Sequence, residues 1–237
     1  MKNTIKWIVL GTILLVIFST TMMKTPEEIT KILTNVTREL RLFSAFVHIL
    51  FLAVVVVGLF FKKNRNILFF LLIAFLTLSA TIVSIKYMIL PNILIFAIIF
   101  ILIINAYLRK ELNFELKEIE PINKYFGIVG MIFSFWYLHW VETPIWLNAL
   151  LFSPLGSINC PTLLTICAFL CITAKPRSVM LELVTALITL YFGFFGIFCL
   201  GAYVDVILII CALFLIMRLS SSLTYKSVFD KENVNNR

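Results

Sequence analysis

Long apolar runs determine the fold class of this chain of 237 residues. Residues 42–61 read LFSAFVHILFLAVVVVGLFF, and several other runs are nearly as long and as free of charge. About 20 apolar residues in a helix cross the roughly 30 Å hydrocarbon layer of a bilayer. Only 14% of the residues are charged, against about 25% in a soluble domain. The sequence therefore predicts an all-α, polytopic transmembrane helix bundle.

The apolar runs predict about eight spans in a single domain over residues 1–219, followed by a polar tail over residues 220–237. We expect a turn at Pro91 and a hairpin at Gly201, because Pro and Gly are common where helices begin and end. The expected spans are 5–23, 42–61, 67–84, 93–108, 125–141, 159–174, 179–200 and 202–219.

The segment between the first two spans predicts an amphipathic helix that lies on the membrane surface. Thr25-Pro26-Glu27-Glu28 has the pattern of a capping box, with Thr25 as N-cap and Glu28 three residues later. Apolar residues then recur at helical spacing through residue 43, and Lys31, Asn35 and Arg38 occupy the other face. A partly buried connector helix is the alternative interpretation.

The distribution of basic residues predicts the orientation. Of the 20 Lys and Arg residues, 15 fall at the termini and in alternate connections that share one side of the predicted topology. In membrane proteins the cytoplasmic connections carry the excess of Lys and Arg. We therefore expect a multi-pass protein of the plasma membrane with both termini in the cytoplasm. The net charge of +8 is then explained by basic residues at the cytoplasmic surface of the membrane, where they attract anionic lipid. The expected partner is the lipid bilayer, and nucleic acid is not expected.

The segment Glu142–Thr162 separates the fifth and sixth expected spans and organises the chain around it. It is apolar, it has no Lys or Arg, and Pro144, Pro154 and Pro161 interrupt any regular helix within it. Such irregular backbone at membrane depth must be buried against protein, because its N–H and C=O groups find no water in lipid. We expect this segment to fold over a shortened sixth span that begins at Asn159 as N-cap.

Five residues are candidates for a substrate or ion site in the outer half of the predicted bundle: His48, His139, Glu142, Cys160 and Asp205. Ionisable groups within spans are costly and are functional candidates by default. Each also has a structural interpretation: hydrogen bonding for the histidines, an end charge for Glu142, and a first-turn charge for Asp205.

The cysteines give no strong metal or redox motif, and neither a catalytic residue, a metal nor a cofactor can be assigned. Cys160, Cys167 and Cys171 share one helix face, which is typical of small packing residues and is also compatible with a soft-metal ladder. Cys160 and Cys199 are expected at similar depth, where a disulfide is an alternative to two free thiols.

Three functions remain open from the residues. The first is a small-solute or ion transporter, or a channel-like protein, with its site in the outer half. The second is a non-transporting assembly, sensor or immunity-type protein, acting as a homo-oligomer or with a partner membrane protein. The third, a redox or metal enzyme, is least favoured, and no nucleotide-binding glycine loop occurs.

Asn159-Cys160-Pro161-Thr162, followed by Leu163-Leu164-Thr165, resembles a motif of a family of small polytopic prokaryotic membrane proteins that is defined only as a domain of unknown function. Members carry a Pro-Cys-Pro-Thr-Thr-like motif late in the chain, after a Pro- and Gly-containing outer loop and before two closing spans. This chain differs at Asn159 and Leu163. The resemblance implies an integral membrane protein and no particular activity.

Overall fold

A computed structural model describes residues 2–137 and 146–235, with side chains for residues 4–20, 22–137 and 148–221. Within these ranges the chain is helical, and its extended pairing is limited to an isolated bridge between Asn113 and Ala174. The expected all-α class is thus confirmed. The helices are α1 (Lys2–Thr21), α2 (Pro26–Glu39), α3 (Arg41–Phe60), α4 (Arg65–Lys86), α5 (Leu90–Leu108), α6 (Pro121–Phe135), α7 (Trp146–Phe152), α8 (Asn159–Cys171), α9 (Val179–Leu200) and α10 (Val206–Asn235).

Five helical segments of the described chain are long and apolar enough to cross a membrane, so the expected number of eight is not confirmed. Two expected spans are shorter apolar helices, at the start of the chain and at α8, and α6 has 15 residues. The helix α10 also continues past the expected start of the polar tail. The five segments are Arg41–Phe60, Lys62–Lys86, Leu90–Leu108, Val179–Leu200 and Tyr203–Ser221.

The amphipathic helix α2 begins as its sequence predicts. The Thr25 hydroxyl accepts a hydrogen bond from the Glu28 N–H, and the Glu28 carboxylate accepts one from the Thr25 N–H, which completes the capping box. Its buried residues Leu33 and Val36 pack with Val83, Ile158 and Leu200 of the bundle. The apolar face of α2 therefore covers one end of the bundle.

The helix α8 is the centre of the bundle. It has 13 residues, hence a length of about 20 Å, and every residue from Cys160 to Cys171 is buried. It packs against α4, α6, α9 and α10. Gly127 and Gly130 of α6 face Ala168 and Ile172, where a Cβ atom would meet side-chain atoms at closer than van der Waals distance. Because Gly127 and Gly130 have no side chains, α6 can approach α8 closely.

The turn before α8 lies inside the protein, so this part of the segment Glu142–Thr162 is buried against protein as expected. Residues 153–158 are buried, Ser79 donates to the Gly156 carbonyl at 2.6 Å, and the Gly156 N–H donates to the Thr162 hydroxyl at 3.0 Å. The expected N-cap was wrong by one position, because α8 is capped at Ile158 without a side-chain bond. The Thr162 hydroxyl instead serves this turn and donates to the Ile158 carbonyl.

Candidate functional site

Asp205 lies buried at the start of α8, although it belongs to the turn before α10. The helix α9 ends at Gly201, whose φ of 67° is left-handed and suits glycine, and the Ala202 N–H donates back to the Gly196 carbonyl. A 3-10 turn over Tyr203–Asp205 follows, and the Asp205 side chain is fully buried. This tight hairpin turns the carboxylate inward against α9.

Gly196 leaves the space that the Asp205 carboxylate occupies. A Cβ atom at residue 196 would overlap the Asp205 carboxylate, so no other residue type fits there without moving Asp205. The close approach of α9 and the carboxylate therefore depends on this glycine.

Two donors from other parts of the fold reach the Asp205 carboxylate. The Tyr137 hydroxyl donates to Oδ1, and the Cys160 thiol donates to Oδ2 at 3.4 Å. Tyr137 follows the end of α6, and Cys160 belongs to the first turn of α8, so three elements converge on one carboxylate. Both donors favour the ionised form of Asp205, because each offers a hydrogen to the carboxylate oxygens.

The electrostatics of α8 favour the same arrangement. The N-terminal end of a helix carries a partial positive charge and N–H groups without intrahelical partners. Asp205 presents a negative charge there. In the described chain, the recorded ion pairs join Glu39 with Lys86 and Glu182 with two arginines, and none includes Asp205. We call this region the Asp205 end of α8.

A cavity of about 130 Å³ lies beside the Asp205 end, beneath α2. That volume is several times what one water molecule needs. Its walls are mostly apolar and come from α2, α9, the first turn of α5 and the residues just before α2 and α5. The amides of Asn92 and Asn159 also line it. The Asn159 side chain borders the cavity and places its Oδ1 atom 3.8 Å from the Cys160 sulfur. Asn159 thus belongs both to the cavity wall and to the first turn of α8, which carries Cys160.

The opposite end of α8 carries a different cluster, which we call the Arg218 end. Arg218 of α10 donates to the carbonyls of Cys171 and Leu170, both at 2.6 Å, and lies 2.5 Å from the Glu182 carboxylate. Arg177 approaches the other Glu182 oxygen at 3.8 Å. Burial lowers the pKa of Arg177, and the Glu182 charge opposes that effect. A buried anion and two cations are therefore joined at the C-terminal end of α8.

The structure brings together only part of the expected site. Cys160 and Asp205 meet, whereas His48 has its own partners: its Nδ1 lies 2.8 Å from the Ser44 carbonyl and its Nε2 2.9 Å from the Phe135 carbonyl. Since Phe135 ends α6 two residues before Tyr137, His48 fixes the backbone that carries Tyr137. His139 and Glu142 lie outside the described residues.

The cysteines of the chain are free. Cys160 and Cys199 therefore do not form the disulfide that the sequence left as an alternative. Cys160 is buried beside Asp205, whereas Cys199 is exposed. Cys167 lies 3.2 Å from the Thr189 hydroxyl, in the middle of α8. Among the described residues, no group of three His, Cys, Asp or Glu side chains is arranged to hold a metal ion.

Sequence reasoning missed Tyr137 and Gly196. Tyr137 lies in the run Trp136–Trp140, which has the composition of an interfacial aromatic belt and gave no sign of a buried hydroxyl. Gly196 is one of two glycines three residues apart, with Gly193, and this spacing differs from the four-residue spacing of the helix-dimerisation motif. Its signal was present in the short hairpin that returns an aspartate to the end of α9.

No family model, curated protein or solved structure matches this chain.

Proposed function

We propose that this chain is an integral membrane protein that carries a small cation across the bilayer, with Asp205 as the ion-binding group. The observation that supports this most is a fully buried carboxylate, held by Tyr137 and Cys160 at the first turn of a helix too short to span. Discontinuous helices near the middle of the membrane form the ion sites of many transporters.

The charge balance at Asp205 supports a cationic ligand. An ionisable group at membrane depth is costly and is usually paired or functional. The phenol and thiol at Asp205 are neutral donors, and the described residues supply no ion pair to it. A proton or small cation from outside the protein neutralises such a carboxylate at the least electrostatic cost.

The cavity beneath α2 supports access from one side. It borders Asn159, and α9 contributes Phe192, Phe195 and Leu200 to its wall, on the helix that also carries Gly196. In this proposal an ion that arrives from the α2 side passes the Asn159 amide on its way to Cys160 and Asp205. Asn159 is the gating residue in this proposal.

The orientation in the membrane belongs to the same proposal. Arg65 donates to the Phe114 carbonyl, and the Ala174 N–H donates to the Asn113 carbonyl, so the connections after α3, α5 and α8 lie together at the Arg218 end. These connections are rich in basic residues, which supports a cytoplasmic Arg218 end and an Asp205 end on the other side of the plasma membrane. The basic residues are Lys62, Lys63, Arg109, Lys110, Lys117, Lys175 and Arg177.

Flux through reconstituted protein tests the proposal. Proteoliposomes that contain the full chain are given an inward proton or sodium gradient, and the internal ion is followed with a pH-sensitive or sodium-sensitive dye. We expect flux with the native chain, and a fall to the level of protein-free vesicles with Asp205→Asn, because the amide has no charge to offer a cation.

A matched control separates the site from general damage. Cys199→Ser changes an exposed thiol close in sequence to the same hairpin and should leave the flux unchanged. Tyr137→Phe removes one donor and keeps the ring, so it should lower the flux without unfolding the protein. Equal flux in the native chain and Asp205→Asn, with both folded, would exclude Asp205 as the ion-binding group.

One observation favours a second candidate function, that of a non-transporting membrane protein such as an assembly partner, sensor or immunity-type factor. The middle of α8, from Leu163 to Leu170, is at most 1% exposed, and the cavity reaches only one of its ends. A protein that only assembles with others needs no passage there. Vesicles with the folded native chain that show no proton or sodium flux would support this candidate.

A further inference from the structure

One face of α9 carries polar side chains from the Arg218 end of α8 to its middle, where Thr189 meets Cys167. Glu182, Thr185 and Thr189 follow at spacings of three and four residues, and Gly196, which contacts Asp205, continues the same face. Residues at such spacing lie above one another on a helix. Glu182 is 1% exposed, and both threonines are fully buried. We call these side chains the α9 stripe.

The hydroxyls of the α9 stripe are not all used by their own helix. Thr189 lies 3.2 Å from the Cys167 sulfur of α8. The Thr185 hydroxyl and the Oε2 atom of Glu182 have no hydrogen-bond partner in the part of the chain that the structure describes. Buried polar groups are nearly always satisfied, by protein or by water. The Oε2 atom is in the ion pair with Arg177 at 3.8 Å, whereas the Thr185 hydroxyl one turn away has neither kind of partner, so it is a place for a bound water or a moving proton.

The α9 stripe also meets the cavity beneath α2. Phe192, which lines the cavity, lies one turn before Gly196 and three residues after Thr189. From Glu182 to Gly196 the helix rises roughly 21 Å. The polar groups of the stripe cover the half of this distance next to the Arg218 end, where Arg177 and Arg218 hold Glu182, and the cavity wall at Phe192 borders the other half.

We infer that the α9 stripe is a proton path, so that the cation bound at Asp205 is a proton; this inference rests on the proposed function. A hydroxyl accepts a proton on a lone pair and releases the one it held, which moves charge without a change in the hydroxyl itself. From Asp205 the proton first crosses the roughly 10 Å of helix rise between Gly196 and Thr189 on water that enters from the cavity beside Phe192. It then passes through the Thr189 and Thr185 hydroxyls and the water between them to the Glu182 carboxylate, and from there to water. Each group returns to its starting form.

The composition of the α9 stripe separates a proton from a metal cation. Calcium takes six to eight oxygen ligands and magnesium requires a near-octahedral shell. The stripe offers single hydroxyls about a turn apart, and the described chain has no cluster of three metal-binding side chains. A proton needs only one acceptor at each step.

The experiment compares three threonine-to-valine variants in the same proteoliposomes. Thr185→Val and Thr189→Val remove hydroxyls of the α9 stripe and nearly conserve the side-chain shape. Thr165→Val is the matched control, because the Thr165 hydroxyl is equally buried but donates to the Pro161 carbonyl of its own helix at 3.0 Å. Proton flux is measured with an internal pH dye and sodium flux with a sodium dye.

We expect Thr185→Val and Thr189→Val to lower proton flux several-fold, Thr165→Val to leave it unchanged, and sodium flux to be absent throughout. Native proton flux in Thr185→Val and Thr189→Val, with loss of flux only in Asp205→Asn, would overturn the path and leave the proposed function intact. Flux of sodium in the native chain would overturn the identity of the cation. The absence of any flux from the native chain would instead remove the proposed function.

Discussion

Each end of α8 is contacted by a charged residue from the segment 205–218, but the two charges are balanced in different ways. Asp205, just before α10, lies at the N-terminal end of α8, and Arg218 of α10 lies at its C-terminal end. Both charges oppose the partial charge of the helix end they contact. At the Arg218 end, Glu182 balances the cation directly. At the Asp205 end, a phenol and a thiol hold the anion, with a cavity alongside.

The two ends therefore differ in how their charged side chain is balanced, by an opposite charge at the Arg218 end and by neutral donors at the Asp205 end. Arg218 binds the last carbonyls of α8 as Arg65 binds those of α3, where it donates to the Gly58 carbonyl at 2.7 Å and to the Leu59 carbonyl at 3.3 Å. Both arginines therefore serve as C-terminal caps. Asp205 has no such counter-charge among the described residues, which is why our proposal places the cation-binding group at the Asp205 end.

The largest effect on stability is expected at the Arg218 end. Arg218→Met leaves Glu182 and the two α8 carbonyls without their guanidinium, and removal of one partner of a buried pair costs about 3–5 kcal/mol. Thermal unfolding in detergent should show this loss. Combining Arg218→Met with Glu182→Gln removes the uncompensated charge, so the double variant should recover part of it.

An exposed pair provides the control for Arg218. Lys86 and Glu39 form a 2.9 Å pair with more than half of each side chain exposed, so Lys86→Met should destabilise the protein far less than Arg218→Met, because solvent screens an exposed pair. Equal destabilisation by Arg218→Met and Lys86→Met would remove the structural role assigned to the Arg218 end.

The next effect is steric and lies at the Asp205 end. Gly196→Ala places a methyl group on the Asp205 carboxylate, and overpacking of this kind typically costs about 1–3 kcal/mol. The cost should fall in the Gly196→Ala/Asp205→Ala double variant, because the overlapping carboxylate is then gone. Unfolding midpoints of the two single variants and the double variant measure this coupling.

Gly11 of α1 is the matched control for Gly196, because a Cβ atom there meets nothing within 4 Å. Gly11→Ala should be neutral or stabilise the helix by about 0.5–1 kcal/mol. If Gly196→Ala behaves like Gly11→Ala, the close approach of α9 to Asp205 is wrong.

Thiol labelling compares the two ends within one helix. Cys160 and Cys171 occupy opposite ends of α8, and both are buried, at 8% and 0% exposure. The cavity lies beside Cys160 only, so a small water-soluble methanethiosulfonate should modify Cys160 faster than Cys171. Mass spectrometry of the peptides reads both rates, with exposed Cys199 as internal standard. Faster labelling of Cys171 would place solvent access at the wrong end.

The smallest effect concerns the contacts that hold the C-terminal end of α2. The Tyr87 hydroxyl and Lys86 both donate to the Glu39 carboxylate, at 2.7 and 2.9 Å, and lower the pKa of Glu39. A lowered pKa means that the stabilisation is present above the carboxyl's ordinary pKa and is lost as the pH falls through the lowered value. Hydrogen exchange of α2 amides should be slightly faster in Glu39→Gln at neutral pH.

In acid, below that lowered pKa, the native chain and Glu39→Gln should exchange their α2 amides at equal rates when both are measured at the same pH. A difference between the two proteins that persists in acid would show that this ion pair does not hold α2 in place.

Much of the fold follows from local sequence, and the site follows only in part. The capping box at Thr25, the turn before Pro91 and the short buried α8 are local patterns, and each is found at its expected place. Asn159 missed its expected cap position because Thr162 supplies the hydroxyl for the preceding turn. Local patterns cannot reveal which side chain meets another from a distant helix.

The pair Cys160 and Asp205 was predictable because both residues come at the start of spans that share one end of the bundle. Tyr137 and Gly196 were not, since a phenol in an aromatic run and a glycine in a helix have ordinary structural roles. The separation of His48 from Asp205 depends on the path of α6, whose end receives the His48 hydrogen bond. Tertiary packing decides all three.

Infrared spectroscopy tests most directly whether Asp205 takes up a proton while the remainder of the fold stays constant. Difference spectra between alkaline and acid pH are recorded on the reconstituted native chain and on Asp205→Asn, in the carbonyl region of protonated carboxyl groups. We predict a band of a protonated buried carboxyl group in the native chain that disappears in folded Asp205→Asn. The same band at full strength in Asp205→Asn would contradict the assignment of Asp205 as the cation-binding group.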